Sequence, residues 1–337
     1  MLANASIQNT TTLQGLLYAS FGGFPAHVVA SSCPHGWIPA FAAMTHAGSA
    51  GRDAAVVSRR RLRTEGRTSE IDFVPSVQEV PSFFTGGSGL AEATRRDGVA
   101  LVVGAGDGLG AAVARAFARE GLAVCLTRRP RHLEQLGALA QSIRDAGGRA
   151  FAFGLDARLE AEVVALTDRV EREIGPLEVV VFNIGANVRF GIVETTTRVY
   201  SKVWEMAALA GFLTGREAAR VMTPRRRGSI LFTGATASVR GGAGYSAFAG
   251  AKHALRALAQ SLARELGPQG LHVAHVVIDG MIDGVFARGI APDAAERLAR
   301  EEILDPEEIA RNYVWLHRQR RSAWTFELDL RPWSEKW

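Results

Sequence analysis

From Val99 onward, short apolar runs alternate with longer segments in which apolar residues recur at a helical spacing. Such runs predict buried strands, and the helical spacing predicts amphipathic helices. The predicted strands are Val99–Val103, Ala123–Thr127, Ala150–Phe153, Val179–Phe182, Ser229–Thr233, Val273–Ile278 and Ala323–Leu328. The predicted helices are Leu109–Glu120, Arg131–Ala146, Leu159–Glu173, Thr197–Met222, Phe248–Leu266 and Pro306–His317. Strict alternation is typical of a doubly wound parallel sheet, so residues 98–332 are predicted to form a single Rossmann-type α/β domain of about seven strands.

Residues 1–97 show no sustained helical or strand period. Residues 1–51 contain no Lys, Arg, Asp or Glu, and the basic run Arg59–Arg63 is typical of a solvated linker. The segment His35–Thr45 resembles peptides read through dispersed repeats in bacterial DNA. We therefore expect an unstructured extension or a start codon assigned too far upstream, with a regulatory or docking extension as the alternative. Residues 333–337 are expected to form a C-terminal tail.

Composition narrows the functional classes. Hydrophobic residues make up 47% of the chain and charged residues 22%, which fits a soluble globular protein. The net charge of +5 comes from 39 basic and 34 acidic residues spread along the chain, which argues against a nucleic-acid partner. The two cysteines, Cys33 and Cys125, are far apart in the sequence and do not imply a disulfide framework. Gly and Pro interrupt the uncharged N-terminus before it reaches membrane-spanning length, and it has no basic leader, so we expect a cytoplasmic protein without a membrane partner.

A glycine-rich turn follows the first predicted strand. The string Gly104-Ala105-Gly106-Asp107-Gly108-Leu109-Gly110 leads directly into the first predicted helix. Glycines let a backbone approach phosphate groups, and a helix N-terminus offers free N–H groups and a positive dipole end. The sequence therefore predicts a dinucleotide site at Gly104, Gly108, Leu109 and Gly110.

The spacing Gly104-x-x-x-Gly108-x-Gly110 resembles the short-chain dehydrogenase/reductase family, and the resemblance extends over residues 98–332. It implies a Rossmann-type fold and an NAD(P)-dependent oxidoreductase. Asn183-Ile184-Gly185 stands where the family has Asn-Ala-Gly after its fourth strand, which implies cofactor contacts from Asn183 and Gly185. Asp156 stands where an acidic residue contacts the adenine ring, and Lys252 stands at the position of the catalytic lysine.

Cofactor choice is predicted from the end of the second strand. An acidic residue there would bind the ribose 2′-hydroxyl of NAD, whereas Arg favours the 2′-phosphate of NADP. The chain has Thr127-Arg128-Arg129, so we expect NADP(H) to be preferred, with Arg128 and Arg129 binding the phosphate. NAD(H) stays open as the alternative, because Asp107 stands where NADP-preferring relatives often carry a basic residue.

The resemblance breaks down at the catalytic positions. The family uses a Tyr-x-x-x-Lys pair, in which the tyrosine donates a proton and the lysine lowers its pKa. Phe248 stands four residues before Lys252, Ala235 replaces the supporting Ser, and Ala208 replaces the proton-relay Asn. Thr233, Thr236 and Ser238 are hydroxyls near the end of the fifth strand that could bind a substrate carbonyl, but each is more typical of a turn residue.

Tyr245 is the candidate replacement for the missing proton donor. It precedes Lys252 by seven residues, which resembles the Tyr-x6-Lys pair of enoyl-thioester reductases. Seven residues of continuous helix would separate the two by about 10.5 Å, so Tyr245 must lie on the loop before the helix. The catalytic candidates are therefore Lys252 and Tyr245, with an ordered water as an alternative donor and a purely structural aromatic as the alternative role of Tyr245.

Two functions remain open at this level. The first is a short-chain oxidoreductase that transfers hydride between NADP(H) and a small carbonyl, alcohol or enoyl substrate, with Val285–Ile303 as a lid. The second is a non-catalytic NADP(H)-binding sensor or subunit. His253 and His275 lack metal-ligand spacing, so no metal is expected. The resemblance implies a homodimer or homotetramer formed through Thr197–Met222 and Phe248–Leu266, with Trp324, Trp333 and Trp337 as further interface candidates.

Overall fold

The computed structural model describes residues 97–336. The predicted extension thus lies outside the described residues except for Asp97, and so does Trp337. The strands are β1 Val99–Val103, β2 Ala123–Arg128, β3 Arg149–Gly154, β4 Leu177–Phe182, β5 Ser229–Thr233, β6 His272–Ile278 and β7 Glu327–Leu330. The helices are α1 Leu109–Arg119, α2 Leu133–Asp145, α3 Glu160–Glu173, α4 Thr197–Trp204, α5 Ala210–Met222, α6 Ser246–Leu266, α7 Val285–Ile290, α8 Ala294–Ala299 and α9 Pro306–Arg318.

The seven strands form one parallel sheet in the order β3-β2-β1-β4-β5-β6-β7. Every residue of β1, β5 and β6 is buried, because helices cover both faces of the sheet. This confirms the predicted doubly wound α/β fold. None of the helices described between residues 97 and 336 is long and apolar enough to cross a membrane.

Each face of the sheet carries its own hydrophobic core. Side chains along β1 alternate, so that Ala100 and Val102 join the core under α1, α2 and α9, while Val99, Leu101 and Val103 join the core under α3, α5 and α6. Large side chains buried in these cores each contribute about 1.5–3 kcal/mol of transfer free energy. The sheet is therefore a rigid base for the loops at its edges.

The last strand and the long central helix differ from the predictions. The predicted strand Ala323–Leu328 is wrong in its start, because Arg321–Ala323 form a 3-10 turn and Trp324 stacks on His272 at a centroid distance of 5.0 Å. The predicted helix Thr197–Met222 has the observed outer bounds, but a π-helical segment at Glu205–Leu209 interrupts it. Such π segments inside α-helices are frequent at functional sites.

The order of the strands locates a crevice in the molecule. The chain builds β1, β2 and β3 toward one edge and then crosses β1 to start β4 on its other side. The loops after β1 and β4 consequently leave the sheet in opposite directions, and ligands of open α/β sheets bind at such a switch point. Gly104 and Asn183 are the first residues of these two loops.

Candidate functional site

The glycine turn after β1 needs its glycines for steric reasons. Gly104 has a φ of +94°, and a methyl group there would lie 2.6 Å from the carbonyl oxygen of Asn183. A methyl group on Gly110 would lie 2.4 Å from the carbonyl oxygen of Gly104. Asn183 also fixes the turn, because its Nδ2 donates to the Gly104 carbonyl at 3.0 Å. The turn is thus tightly bound to the loop after β4.

The N-terminus of α1 opens from this turn. Gly108 is its N-cap residue, no side chain caps this end, and its first turn contains no acidic residue. The first N–H groups of a helix have no partner within the helix and carry the positive end of its dipole. Gly108, Leu109 and Gly110 therefore offer a backbone setting that suits an anion such as a pyrophosphate.

A cavity of about 340 Å³ lies beside the turn and reaches the ends of β2 and β3. Its wall includes Arg128, Arg129, Asp156 and Arg158. The Cζ of Arg128 lies 3.9 Å from the point where a methyl group on Gly106 would stand, so its guanidinium lies over the turn. Its nearest acidic partner is the exposed Asp107, at 3.9 Å.

The guanidinium of Arg129 has no hydrogen-bond or ion-pair partner within residues 97–336, although its backbone carbonyl accepts a hydrogen bond from the His132 N–H at 2.9 Å. Burial lowers the pKa of Arg129, and the positive charges of Arg131, Arg158 and Arg128 lower it further. Asp156 opposes this effect, but its carboxylate is held by Arg158, whose Nε donates to Oδ1 at 2.8 Å and whose Nη2 donates to Oδ2. This end of the cavity therefore has an excess of positive charge.

Sequence reasoning missed Arg158. Its guanidinium joins Asp156 to Glu205 on the π segment, with 3.1 Å between Nη1 and the Glu205 carboxylate. The hydrogen bond from Arg158 lowers the pKa of Asp156. The predicted adenine contact is thus in the cavity wall, but its carboxylate is already bound by a neighbouring side chain. The sequence carries a signal for this ion pair, because Arg158 follows Asp156 by two residues on the same loop.

A second cavity, of about 980 Å³, opens on the other side of the turn, and Lys252 lies in its wall. Lys252 is 2% exposed, and its Nζ donates to the backbone carbonyls of Thr233 at 2.9 Å and Ile184 at 3.2 Å. Burial lowers the pKa of Lys252 to about 8. Within residues 97–336 no carboxylate forms an ion pair with it.

Tyr245 and Phe248 both line this larger cavity. Helix α6 begins at Ser246 with Tyr245 as its N-cap residue, so Tyr245 lies just before the helix, as the sequence argument required. The Cζ of Arg189 lies 5.8 Å from the Tyr245 ring centroid. Phe248 is buried, and its ring centroid lies 5.9 Å from the Lys252 Nζ. A benzyl ring therefore stands next to the lysine.

The other hydroxyls near the end of β5 are bound elsewhere. Thr233 shares a 2.7 Å hydrogen bond with Tyr313, and Thr236 donates to Asp279 at 2.5 Å. The Ser238 hydroxyl is fully buried and accepts a hydrogen bond from the Ala235 N–H. Ala235 lines the larger cavity, whereas the buried Ala208 lies within the π segment. None of these residues therefore places a free proton donor beside Lys252.

A buried histidine network lies behind the cavity wall. The Nδ1 of His275 shares a 3.0 Å hydrogen bond with Glu327 Oε2. Arg256 donates two hydrogen bonds to the same carboxylate, from Nε at 2.6 Å and from Nη2 at 2.7 Å. The His275 Nε2 lies 2.4 Å from the point where a methyl group on Gly234 would stand. Burial lowers the pKa of His275 to about 4. Sequence reasoning gave no hint of this network, because its residues are far apart in the chain.

The segment after β6 covers the larger cavity. Gly280, Met281 and Ile282 line it, and the carbonyl of Asp283 lies 3.8 Å from the point where a methyl group on Gly108 would stand. The predicted lid at Val285–Ile303 contains the short helices α7 and α8. Arg288 on α7 binds the Asp283 carboxylate through two hydrogen bonds of 2.8 and 3.0 Å.

Comparison with known proteins gives consistent matches to this part of the chain. A family model described as enoyl-(acyl carrier protein) reductase matches residues 104–327. A crystal structure of a short-chain dehydrogenase from Rhodopseudomonas palustris is 47% identical, with a TM-score of 0.61 over 71% of this chain and 100% of that chain. Short-chain reductase protein NovJ of Streptomyces niveus is 31% identical, covering 67% of this chain and 89% of the relative. A metagenomic short-chain oxidoreductase crystallised with NADP is 25% identical, with a TM-score of 0.58 over 72% and 100% of the two chains.

Proposed function

The chain belongs to the short-chain dehydrogenase/reductase family, and we propose that it is an NADP(H)-dependent oxidoreductase of this type. It transfers hydride between the nicotinamide and a small carbonyl, alcohol or enoyl substrate. One observation carries the proposal: the smaller and the larger cavity share the wall residues Gly108, Leu109, Asn183, Ile184 and Gly185. An elongated dinucleotide can therefore extend from the arginine-rich end, past the N-terminus of α1, to Lys252.

Charge supports NADP(H) over NAD(H). The 2′-phosphate of NADP would meet the partnerless guanidinium of Arg129 and the neighbouring Arg128. Charge-assisted hydrogen bonds from Arg to a phosphate are short and can be bidentate, which suits this residue type. The related metagenomic oxidoreductase was solved in complex with NADP, which agrees with the proposal.

Lys252 acts as the residue that orients the cofactor. A bound NADP(H) would supply or accept the hydride. An ammonium group has three N–H donors, and Lys252 uses two of them on backbone carbonyls, which leaves one for a ribose hydroxyl. The proton for the substrate oxygen comes from Tyr245 or from an ordered water, because Phe248 has no proton to donate.

The rival function is NADP(H) binding without turnover. The specific observation behind it is that Ala208, Ala235 and Phe248 stand where the family carries its Asn, Ser and Tyr. Fold alone does not decide between an enzyme and a sensor. A sensor would need the glycine turn and the arginines, but it would need neither Tyr245 nor a substrate.

A substrate panel on the full chain separates the two functions. NADPH oxidation is followed with ketones, aldehydes and enoyl thioesters, for the wild type and for Tyr245→Phe. The enzyme proposal expects turnover by the wild type. Loss of turnover in Tyr245→Phe with NADPH binding intact identifies Tyr245 as the donor, and unchanged turnover identifies the water. NADPH binding by the wild type without oxidation of any substrate supports the sensor.

We also propose a homodimer or homotetramer formed through α6 and through α4 and α5, which together span Thr197–Met222. Tyr200, Trp204 and Phe212 are each more than 40% exposed on these helices, and aromatic residues are enriched at interfaces. Trp333 is also exposed, whereas Trp324 is engaged within the chain by His272. Light scattering with size-exclusion chromatography tests this state, and Phe212→Arg is expected to lower the mass to that of a monomer.

A further inference from the structure

Most polar side chains in the wall of the larger cavity are already engaged within the chain. The two threonines of the wall are bound to Tyr313 and Asp279, and its two aspartates pair with arginines. Lys252 donates to two backbone carbonyls, and Arg240 donates to the Asp279 carboxylate at 3.4 Å. Asn183 donates to the glycine turn. These groups therefore leave little hydrogen-bonding capacity for a substrate.

Asn187 and Tyr245 are the exceptions in this wall. In the part of the chain that the structure describes, neither the Asn187 amide nor the Tyr245 hydroxyl has a hydrogen-bond partner. Asn187 is exposed and Tyr245 is half-buried. An amide NH₂ group and a phenol O–H are both donors. Apart from the third N–H of Lys252, these two side chains are the donors that the wall offers to a ligand.

Two loops that meet beside the cavity carry these two side chains. The Phe190 N–H donates to the Gly244 carbonyl at 2.9 Å, which joins the loop after β4 to the loop before α6. Asn187 precedes Phe190 by three residues, and Tyr245 follows Gly244 directly. Arg189 bridges the same junction, because its Cζ lies 5.8 Å from the Tyr245 ring centroid. The backbone thus brings both donors to one side of the cavity.

The rest of the wall is mostly apolar. Phe248 and Ala235 lie in it where the family carries its Tyr and Ser, and Met281, Ile282 and Ile290 extend the apolar surface. Sites for drug-sized ligands have volumes of about 300–1,000 Å³. This cavity has a volume of about 980 Å³. It therefore has room for a nicotinamide ring together with a substrate of more than one ring.

We propose that the larger cavity takes a bulky, mostly hydrocarbon ketone or the corresponding secondary alcohol, and that Asn187 and Tyr245 bind its single oxygen atom. The inference rests on the proposed function and narrows its substrates to those with two or more fused carbon rings. Further polar groups on the substrate would be buried without partners, which is costly. The Asn187 amide stabilises the negative charge that hydride addition places on the oxygen, a role that Ala235 lacks a donor to fill.

Binding of ketones to the full chain tests the proposal, by isothermal titration calorimetry with and without excess NADP+. NADP+ has no hydride to give, so a ketone can bind beside it without turnover. The probes are decalone, which has two fused rings and one oxygen, and cyclohexanone, which has one ring. The variants are Asn187→Asp, which keeps the side-chain shape but loses the N–H donors, and Tyr245→Phe. Asn312→Ala is the matched control, because Asn312 on α9 lines neither cavity.

We expect decalone to bind at least about tenfold tighter than cyclohexanone, because its second ring removes more apolar surface from water. Asn187→Asp and Tyr245→Phe should each weaken decalone binding about fivefold, the usual effect of one lost hydrogen bond. Asn312→Ala should bind decalone like the wild type. Decalone binding that is no tighter than cyclohexanone binding, or that is unchanged in either cavity variant, overturns the proposal.

The affinity for NADP+ separates this inference from the proposed function. Selective decalone binding that depends on Asn187, in a protein that does not bind NADP+, supports the inference and contradicts the proposed function. Binding of NADP+ without selective decalone binding overturns the inference and leaves the proposed function standing. Binding of neither ligand overturns both.

Discussion

His275 and Glu327, which are 52 residues apart in the chain, share a partly buried hydrogen bond of 3.0 Å between Nδ1 and Oε2. The two residues are register partners on the adjacent strands β6 and β7, so the pleat of the sheet aligns their side chains. Arg256 on α6 completes the network from above the sheet. The network joins the sheet edge to the helix that carries Lys252.

The free energy of unfolding should decrease as the pH is lowered, because His275 is buried in its neutral form. Burial lowers its folded pKa to about 4, below the unfolded value of 6.5, so the unfolded state takes up the proton first. The contribution of neutral His275 to the free energy of unfolding is fully present above pH 6.5. As the pH falls from 6.5 toward 4, up to about 3 kcal/mol of this contribution is lost. Urea unfolding between these pH values should show a steep decline that is shallower in His275→Gln. Parallel curves for the two proteins would contradict this account.

The glycine turn should not tolerate side chains. Gly110→Ala places a methyl group 2.4 Å from a backbone oxygen, and Gly104→Ala adds the strain of a positive φ. We expect each change to cost about 2 kcal/mol or more and to abolish NADPH binding. Gly289→Ala is the matched control, because nothing lies within 4 Å of a methyl group there. Thermal unfolding and NADPH titration measure both effects, and wild-type behaviour of Gly110→Ala would be the contrary result.

Arg129 should govern the choice between the two dinucleotides. Arg129→Gln removes the partnerless guanidinium, and the loss of a charge-assisted hydrogen bond of about 1.5–3 kcal/mol weakens NADPH binding roughly tenfold to a hundredfold. NADH has no 2′-phosphate, so its affinity should change little. Arg131→Gln is the control at an exposed neighbour. Equal losses for NADPH and NADH would show that Arg129 does not bind the 2′-phosphate.

Phe248 offers a gain-of-function test. Phe248→Tyr adds a phenol to a ring that already lies 5.9 Å from the Lys252 Nζ. The nearby ammonium should lower the pKa of the new phenol and make it a proton donor. We expect faster NADPH oxidation with ketones, by about tenfold or more given the usual size of general-acid catalysis. The rate with enoyl thioesters should change less if Tyr245 serves that reaction, and an unchanged ketone rate would argue against a missing acid at position 248.

Local sequence patterns predicted the strands and helices of the fold and the glycine turn. The apolar runs located β1 and β5 at their observed bounds, and the glycine string located the turn at the switch point. Lys252 was found because it matches a family position. The capture of Asp156 by Arg158 and the approach of His275 to Gly234 depend on side-chain directions and on contacts between distant strands. Neither leaves a periodic signal, and the displaced start of β7 reflects the stacking of Trp324 on His272.

The most direct test of the account is a fluorescence titration of the protein with NADPH and with NADH, at matched ionic strength. The account predicts saturable NADPH binding that is at least about tenfold tighter than NADH binding, as expected for an added charge-assisted contact. It also predicts that Gly110→Ala binds neither dinucleotide. Failure of the wild-type protein to bind either one would contradict the nucleotide site and, with it, the proposed oxidoreductase.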